Sequence, residues 1–134
     1  MNSYLLDTHS FLWSIDETDK LSSTAFEVIL NPENTIYVSS ITFWEISVKM
    51  ALKKLSLKNY NALDLLKIAQ ETMKFSLLSL SPLEAATFCQ LPPTQHKDPF
   101  DRMLIWQAIS QDLILISKDS QFTIYSKYGL KTLW

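Results

Sequence analysis

The sequence predicts a single α/β domain over all 134 residues, with a central, mainly parallel sheet between two layers of helices. Three observations lead to this three-layer α/β/α prediction. Short apolar runs end abruptly at polar residues, segments with helical spacing lie between them, and two of those segments begin with strong helix-start signals. Hydrophobic residues make up 47% of the chain, and this share fits one packed domain of this length.

The candidate strands are the short apolar runs. Residues 4–6 end at Asp7, residues 36–38 end at Ser39, and residues 113–116 end at Ser117. Consecutive apolar positions are typical of strands buried on both faces, as in a parallel sheet covered by helices. Residues 75–80 are a further candidate, and residues 130–134 are predicted to form a closing edge strand.

The predicted helices alternate with these strands. Apolar residues recur on one helical face within residues 21–30, 41–52 and 63–73. Ser81 and Asp98 are predicted N-caps, because a proline follows each of them and an acidic residue stands three positions later. The helix that Asp98 opens continues through residue 108. Strands interleaved with helices predict a parallel sheet with helices on both faces.

Composition excludes several classes of protein. The one cysteine, Cys89, cannot form an internal disulfide framework, and the one glycine, Gly129, cannot form a P-loop or a GxGxxG dinucleotide motif. The formal net charge of −2 provides no general attraction for nucleic acid. No apolar run approaches the ~20 residues that span a bilayer, and the first residues lack signal-peptide features. These observations predict a cytoplasmic protein without a membrane segment, with Cys89 in its core.

Four carboxylates from four separate segments are predicted to meet at one edge of the sheet. They are Asp7, Glu45, Asp101 and Asp119. Two of them directly follow strands, and the other two lie near the starts of helices, so all four belong at the carboxyl ends of the strands. Two carboxylates about 4 Å apart repel by about 4 kcal/mol at an effective dielectric of 20. Either some of them are protonated, or a cation such as Mg²⁺ or Mn²⁺ neutralises them.

Each acid also fits a simpler role within a helix. Asp7 and Asp119 stand where N-caps usually stand. Glu45 fits a capping box with Thr42 and an i,i+4 ion pair with Lys49. If these were the only roles, the chain would be a binding module without catalysis, and this alternative stays open.

Two neighbouring aspartates are predicted to differ in role. Asp98 precedes Pro99 and is expected to cap the helix by accepting from the backbone N–H of Phe100 or Asp101. It also stands four residues before Arg102, a spacing that suits an ion pair. Asp101 is the third helical residue, where the helix dipole favours its ionised form and its side chain leans toward the strand ends.

Four motifs, in order, resemble those of PIN-domain ribonucleases, specifically the VapC-like toxins of bacterial toxin–antitoxin modules. The motifs are Leu-Leu-Asp-Thr-His-Ser-Phe-Leu-Trp at 5–13, Val-Ser-Ser-Ile-Thr-Phe-Trp-Glu-Ile-Ser at 38–47, His-Lys-Asp-Pro-Phe-Asp-Arg-Met-Leu-Ile at 96–105 and Ile-Ser-Lys-Asp-Ser-Gln-Phe at 116–122. The resemblance extends from Tyr4 to Trp134. Ser117 stands where threonine is common in the family and Lys97 where arginine is common, and both keep the hydroxyl or the charge.

The resemblance implies an endoribonuclease that depends on Mg²⁺ or Mn²⁺, forms a homodimer and is inhibited by a cognate antitoxin. RNA cleavage is expected to leave a 5′-phosphate and a 3′-hydroxyl. The resemblance assigns catalysis and the binding of one or two cations to Asp7, Glu45, Asp101 and Asp119. Thr8 and Ser117 are expected beside the site, where they would hydrogen-bond its carboxylates or satisfy backbone groups at the strand ends. Asp98 is the third residue expected beside the site, as the cap of its helix. Side chains expected to contact RNA are Lys49 and Arg102.

Several of these residues also fit other roles. His9 and His96 are too few for a typical zinc site, which would need a third nitrogen or thiolate ligand. His9 is expected to have a local structural role or to contact the antitoxin. A receiver-like domain needs an aspartate after its middle strand, and the segment ending at Ser39 offers none. The lysines at 49, 53, 54 and 58 fit a solvated helix face or a path for RNA. The four tryptophans fit the core by default, with a dimer interface or antitoxin groove as the alternative.

Overall fold

The computed structural model describes residues 2–134, and its sheet has five strands that all run parallel among those residues. The strands are β1 (Ser3–Leu6), β2 (Thr35–Ser39), β3 (Ser76–Leu78), β4 (Ile114–Ile116) and β5 (Lys131–Leu133). Their spatial order is β3-β2-β1-β4-β5. The predicted α/β architecture is confirmed, and the last strand lies at an edge of the sheet as expected.

β1 is the centre of the sheet. Leu5 pairs with Tyr37 of β2 on one side and with Leu115 of β4 on the other. β2 is therefore not the middle strand, so the expectation that was used to exclude a receiver-like domain is wrong. Asp7 follows the middle strand. In chain order, β2 and β3 are added on one side of β1, and β4 and β5 are then added on the other side. The boundary between β1 and β4 is therefore the switch point, the place where open α/β sheets bind ligands.

Helices cover both faces of this sheet. The α-helices are α1 (Thr8–Asp16), α2 (Ser23–Leu30), α3 (Ser40–Ala51), α4 (Ala62–Lys67), α5 (Pro82–Thr87) and α6 (Pro99–Gln111), with a π-helical turn at Ile68–Thr72 and 3₁₀ helices at Thr18–Lys20, Phe88–Gln90 and Ser120–Tyr128. Ser22 caps α2, so this helix begins two residues after its predicted start at 21. Ser39 caps α3, which leaves Thr42 and Glu45 inside the helix and makes the predicted capping box wrong.

Both faces of β1 are buried, as its consecutive apolar residues predict. Tyr4 and Leu6 pack on one side in a core that includes Phe11 of α1. Leu5 packs on the other side with Leu104 of α6. Because both faces of β1 pack in these cores, the backbone position of Asp7, the residue that follows β1, is rigid.

Several aromatic and sulfur side chains lie outside both cores. Cys89 is exposed, so the prediction of a core cysteine is wrong: at this 3₁₀ turn the buried side chain is Leu91, which is 2% exposed. Trp44 is 59% exposed and contacts Phe100 edge to face, with ring centroids 5.2 Å apart. None of the four tryptophans is fully buried, so core packing accounts for them only in part. No helix within residues 2–134 has the length and apolar character needed to cross a bilayer.

Candidate functional site

All four predicted carboxylates line one cavity of about 140 Å³ at the carboxyl ends of β1 and β4. Asp7 follows β1, and Asp119 follows β4 after a two-residue step. Glu45 comes from the second turn of α3, and Asp101 comes from the first turn of α6. The convergence expected from the sequence is therefore present in the fold, although these positions alone do not assign catalysis to any of the four.

Asp7 and Asp119 each cap a helix and also line the cavity. Asp7 accepts a hydrogen bond at Oδ1 from the Ser10 N–H at 2.9 Å. Asp119 accepts at Oδ1 from the Gln121 N–H, also at 2.9 Å. Each cap occupies one carboxylate oxygen and fixes the orientation of the other. The two explanations of these acids are thus not exclusive.

Asp7 is the most deeply enclosed of the aspartates in the cavity, with 6% of its surface exposed. Burial raises the pKa of this carboxyl, and hydrogen bonds from Ser10 and Ser117 partly oppose that rise. Ser117 also accepts from the Asp119 N–H at 3.1 Å, so it connects the ends of the two strands. This position agrees with the expectation that Ser117 supports the site carboxylates.

Glu45 is held by two side chains. Thr8 donates to Glu45 Oε1 at 2.7 Å, as expected of a supporting residue. Lys49 donates to Glu45 Oε2, and this hydrogen bond raises the pKa of the lysine. Lys49 also lines the cavity, where it neutralises the charge of Glu45. Its predicted contact with RNA would compete with this pairing.

Thr8→Val is expected to lower the free energy of unfolding by about 1–3 kcal/mol, because it leaves a buried carboxylate oxygen without its donor. Thr132→Val is the matched control, since Thr132 lies exposed on the edge strand β5. Chemical denaturation of both variants without divalent cations measures the difference. Equal stability of the two variants would contradict the importance of the Thr8–Glu45 contact.

Asp98 caps α6 as the sequence predicts, but the expectation that the helix dipole favours the ionised form of Asp101 is wrong, because the pKa of Asp101 is raised. Asp98 Oδ1 caps α6 by accepting from the Asp101 N–H at 2.9 Å. Asp101 turns its carboxylate to the cavity, where burial first and the charge of Asp98 second raise its pKa to about 6. The charge of Glu45 adds to the rise, while a hydrogen bond from His96 opposes it. The negative charges of neighbouring acids therefore contribute to the raised pKa of Asp101.

Arg102 does not line the cavity, and its expected contact with RNA stays a prediction. Its guanidinium donates to the carbonyl oxygens of Leu91 and Pro92, both at 3.2 Å, and to the Tyr125 hydroxyl at 3.1 Å. It also stacks over the ring of Phe88, 5.5 Å from the centroid. These contacts replace the predicted pairing with Asp98 and tie the segment before α6 to the 3₁₀ helix after β4.

Two residues beside the carboxylates were not assigned to the site from sequence. His96 Nε2 lies 3.1 Å from Asp101 Oδ2, and ligand atoms of His96, Asp101 and Asp119 lie within 4.8 Å of one another. Lys118 lines the cavity and places its ammonium 5.9 Å from the centroid of the Trp13 ring. The available signals were proximity in sequence, since His96 precedes Asp101 by five residues and Lys118 directly precedes Asp119.

The donor set of this cavity fits a divalent cation. Carboxylate oxygens are the ligands that Mg²⁺, Mn²⁺ and Ca²⁺ prefer. The raised pKa values of Asp7 and Asp101 show that the surrounding protein leaves their negative charge incompletely compensated. A cation in the cavity would supply that compensation.

The fold and the cavity together define an α/β domain with a carboxylate site at its switch point. The chain matches the PIN domain family over residues 4–128 and belongs to that family. It is 26% identical to Ribonuclease VapC22 of Mycobacterium tuberculosis over 135 aligned residues, covering 100% of both chains.

Solved structures share this fold at low sequence identity. One is VapBC2 from Rickettsia felis bound to a DNA fragment from its promoter, with a TM-score of 0.73, 17% identity and coverage of 98% of this chain and 97% of that chain. Another is DNA-bound VapBC from Salmonella typhimurium, with a TM-score of 0.63, 18% identity and coverage of 99% and 98%. These similarities show that the chain shares the fold of these proteins over nearly its full length.

Proposed function

We propose that this PIN domain is an endoribonuclease that depends on Mg²⁺ or Mn²⁺ and acts as the toxin of a toxin–antitoxin module. The observation that carries the proposal is the convergence of Asp7, Glu45, Asp101 and Asp119 on one small cavity. The ribonuclease name of the relative VapC22 and the four motifs that resemble VapC-like toxins support RNA as the substrate.

The four carboxylates would hold the cation. When bound, the cation would activate water and offset the charge that develops on a phosphodiester during displacement. The caps on Asp7 and Asp119 orient both carboxylates before any ligand arrives, which avoids reorganisation during the reaction. Lys118 contributes a positive charge at the cavity wall, where it would attract the phosphate backbone of RNA.

A cleavage assay with paired variants tests this function. Glu45→Gln is expected to reduce RNA cleavage in Mg²⁺ or Mn²⁺ by at least about 100-fold, because the loss of several kcal/mol of charge stabilisation corresponds to that factor. Glu33→Gln is the matched control, since exposed Glu33 precedes β2 at the opposite edge of the sheet. Absence of cation-dependent cleavage by the wild type would favour the alternative of an inactive binding module.

We also propose a homodimer and a cognate antitoxin as partners. The solved neighbours named VapBC support a paired partner, and the exposed Trp44 supports an apolar interface. The antitoxin is expected to lie over the acidic edge and to present a basic side chain to the carboxylates. A cytoplasmic location belongs to the same proposal, because the exposed thiol of Cys89 suits a reducing compartment.

The partner proposal predicts a dimer in solution and a small protein that co-purifies from the native host. Addition of that protein is expected to suppress cleavage and to weaken Mn²⁺ binding, since its basic side chain would compensate the same carboxylates. Sedimentation at micromolar concentration and Mn²⁺ titration of the complex measure both effects. A strict monomer without any co-purifying chain would contradict this proposal.

A further inference from the structure

His96 is buried beside the cavity, with both ring nitrogens in contact with polar partners. Nε2 lies 3.1 Å from Asp101 Oδ2, and Nδ1 lies 3.1 Å from the Tyr125 hydroxyl. The ring is also held edge to face by Phe122, with centroids 5.2 Å apart. Only 8% of the residue is exposed. The imidazole therefore has little freedom to rotate.

The partners of His96 determine where its proton lies. An ionised carboxylate only accepts hydrogen bonds, so Nε2 donates to Asp101. A neutral imidazole has one N–H, so Nδ1 accepts from the Tyr125 hydroxyl. The Tyr125 hydroxyl also lies 3.2 Å from the His96 carbonyl and 2.8 Å from the Thr94 hydroxyl, but Thr94 already donates to that carbonyl at 3.0 Å and accepts from the His96 N–H at 3.2 Å. Arg102 donates to the Tyr125 oxygen at 3.1 Å, so among these acceptors Nδ1 is the one that has no other donor.

We propose that His96, oriented by Tyr125, is a positioning residue that fixes the rotation of the Asp101 carboxylate in the cation site. The inference rests on the proposed function, because it assigns Asp101 to that site. A carboxylate in the first turn of α6 is free to rotate about its side chain unless a fixed donor holds one oxygen. His96 supplies that donor from a buried ring, and Tyr125 and Arg102 connect the ring to the 3₁₀ helix and the segment before α6.

Direct metal ligation is the competing role for His96, and the two roles require different tautomers of the ring. A ligating His96 would need its proton on Nδ1 and a free lone pair on Nε2. That lone pair would then face the lone pairs of Asp101 Oδ2 at 3.1 Å, an arrangement that is repulsive without a proton or a cation between them. If Nε2 donates to Asp101 instead, the carboxylate oxygens remain as the ligands, and the site then prefers cations that bind oxygen.

The tautomer can be measured in the cation-free protein. Long-range ¹H–¹⁵N correlation resolves the ring nitrogens of the two histidines, and His96→Gln identifies the signals of His96 by their loss. We expect a protonated Nε2 and an unprotonated Nδ1. Tyr125→Phe is expected to shift the Nδ1 signal, whereas Tyr128→Phe removes a hydroxyl from the same 3₁₀ helix and should leave it unchanged. A protonated Nδ1 opposite an unprotonated Nε2 would overturn the proposal.

Mn²⁺ titration separates positioning from ligation with two amide substitutions. The amide nitrogen of glutamine lies near the position of histidine Nε2, whereas that of asparagine lies near Nδ1. His96→Asn is expected to weaken Mn²⁺ binding by about 10–100-fold, the range typical when a partner of a ligand is lost, and His96→Gln to retain most of the affinity. Equal affinities of the two variants would overturn the proposal, as would a selective loss of Zn²⁺ over Mg²⁺ binding in His96→Gln.

The two proposals fail in different ways. If the wild type cleaves no RNA, the proposed function fails, but the tautomer and the Mn²⁺ affinities still test the role of His96. If the wild type cleaves RNA and His96→Asn binds Mn²⁺ as tightly as the wild type, the positioning role fails alone. Melting curves recorded without cations confirm that each titrated variant is folded.

Discussion

Asp101→Asn is expected to abolish RNA cleavage and to weaken Mn²⁺ binding, while the cation-free protein stays at least as stable as the wild type. The substitution removes a charge from a cavity in which burial and the charge of Asp98 already raise the pKa of Asp101 to about 6. Asparagine keeps an oxygen that can accept from His96, so the local packing is retained. Single-turnover cleavage in Mn²⁺ and melting curves in a chelator measure the two effects.

Asp98→Ala is the comparison for this prediction, because Asp98 lies on the same helix turn and caps it. It is expected to lower the free energy of unfolding by about 1 kcal/mol and to reduce turnover only in part. If Asp98→Ala were inactive at full stability while Asp101→Asn kept its activity, the assignment of cap and cation-binding residue would be reversed.

The raised pKa of Asp101 also predicts how the stability of the cation-free protein depends on pH. Between the ordinary value of 3.8 and the folded value of about 6, the folded chain binds more protons at this group than the unfolded chain. The free energy of unfolding therefore falls as the pH rises across this interval. The contribution is roughly 1–2 kcal/mol after allowance for a side chain that is 25% exposed. Asp101→Asn should flatten that slope, and identical slopes in the two proteins would contradict the prediction.

Mn²⁺ or Mg²⁺ is expected to raise the melting temperature substantially, because a cation bound by the folded carboxylates has no equivalent site in the unfolded chain. At a concentration 100 times the dissociation constant, the stabilisation is about 2.7 kcal/mol. The gain should be larger above a pH of about 6, where Asp101 is ionised and protons no longer compete for it.

Calorimetry or melting curves with and without a chelator test this stabilisation. Ca²⁺ is expected to stabilise the fold without supporting cleavage, because its larger and more flexible coordination differs from that of Mg²⁺. Asp101→Asn should lose most of the shift, and Glu33→Gln should keep it. No shift in millimolar Mn²⁺ at neutral pH would count against a cation site in this cavity.

The sequence alone determined the features that depend on neighbouring residues and on the general geometry of parallel sheets. The caps Ser81 and Asp98 follow from local hydrogen bonds to the N–H groups of the first helical turn, and the structure confirms both. The convergence of the four acids follows because parallel strands end at one edge. The individual role of each acid remains a prediction.

Only the tertiary structure decided which strand is central and which side chains meet across long stretches of chain. The order of the strands depends on crossover connections, so the apolar runs by themselves did not place β1 in the middle. His96 meets Tyr125 across 29 residues, and Arg102 meets it across 23. No local pattern encodes such contacts, because they form only when packing of α6 and the last 3₁₀ helix on the sheet brings these polar groups together away from water.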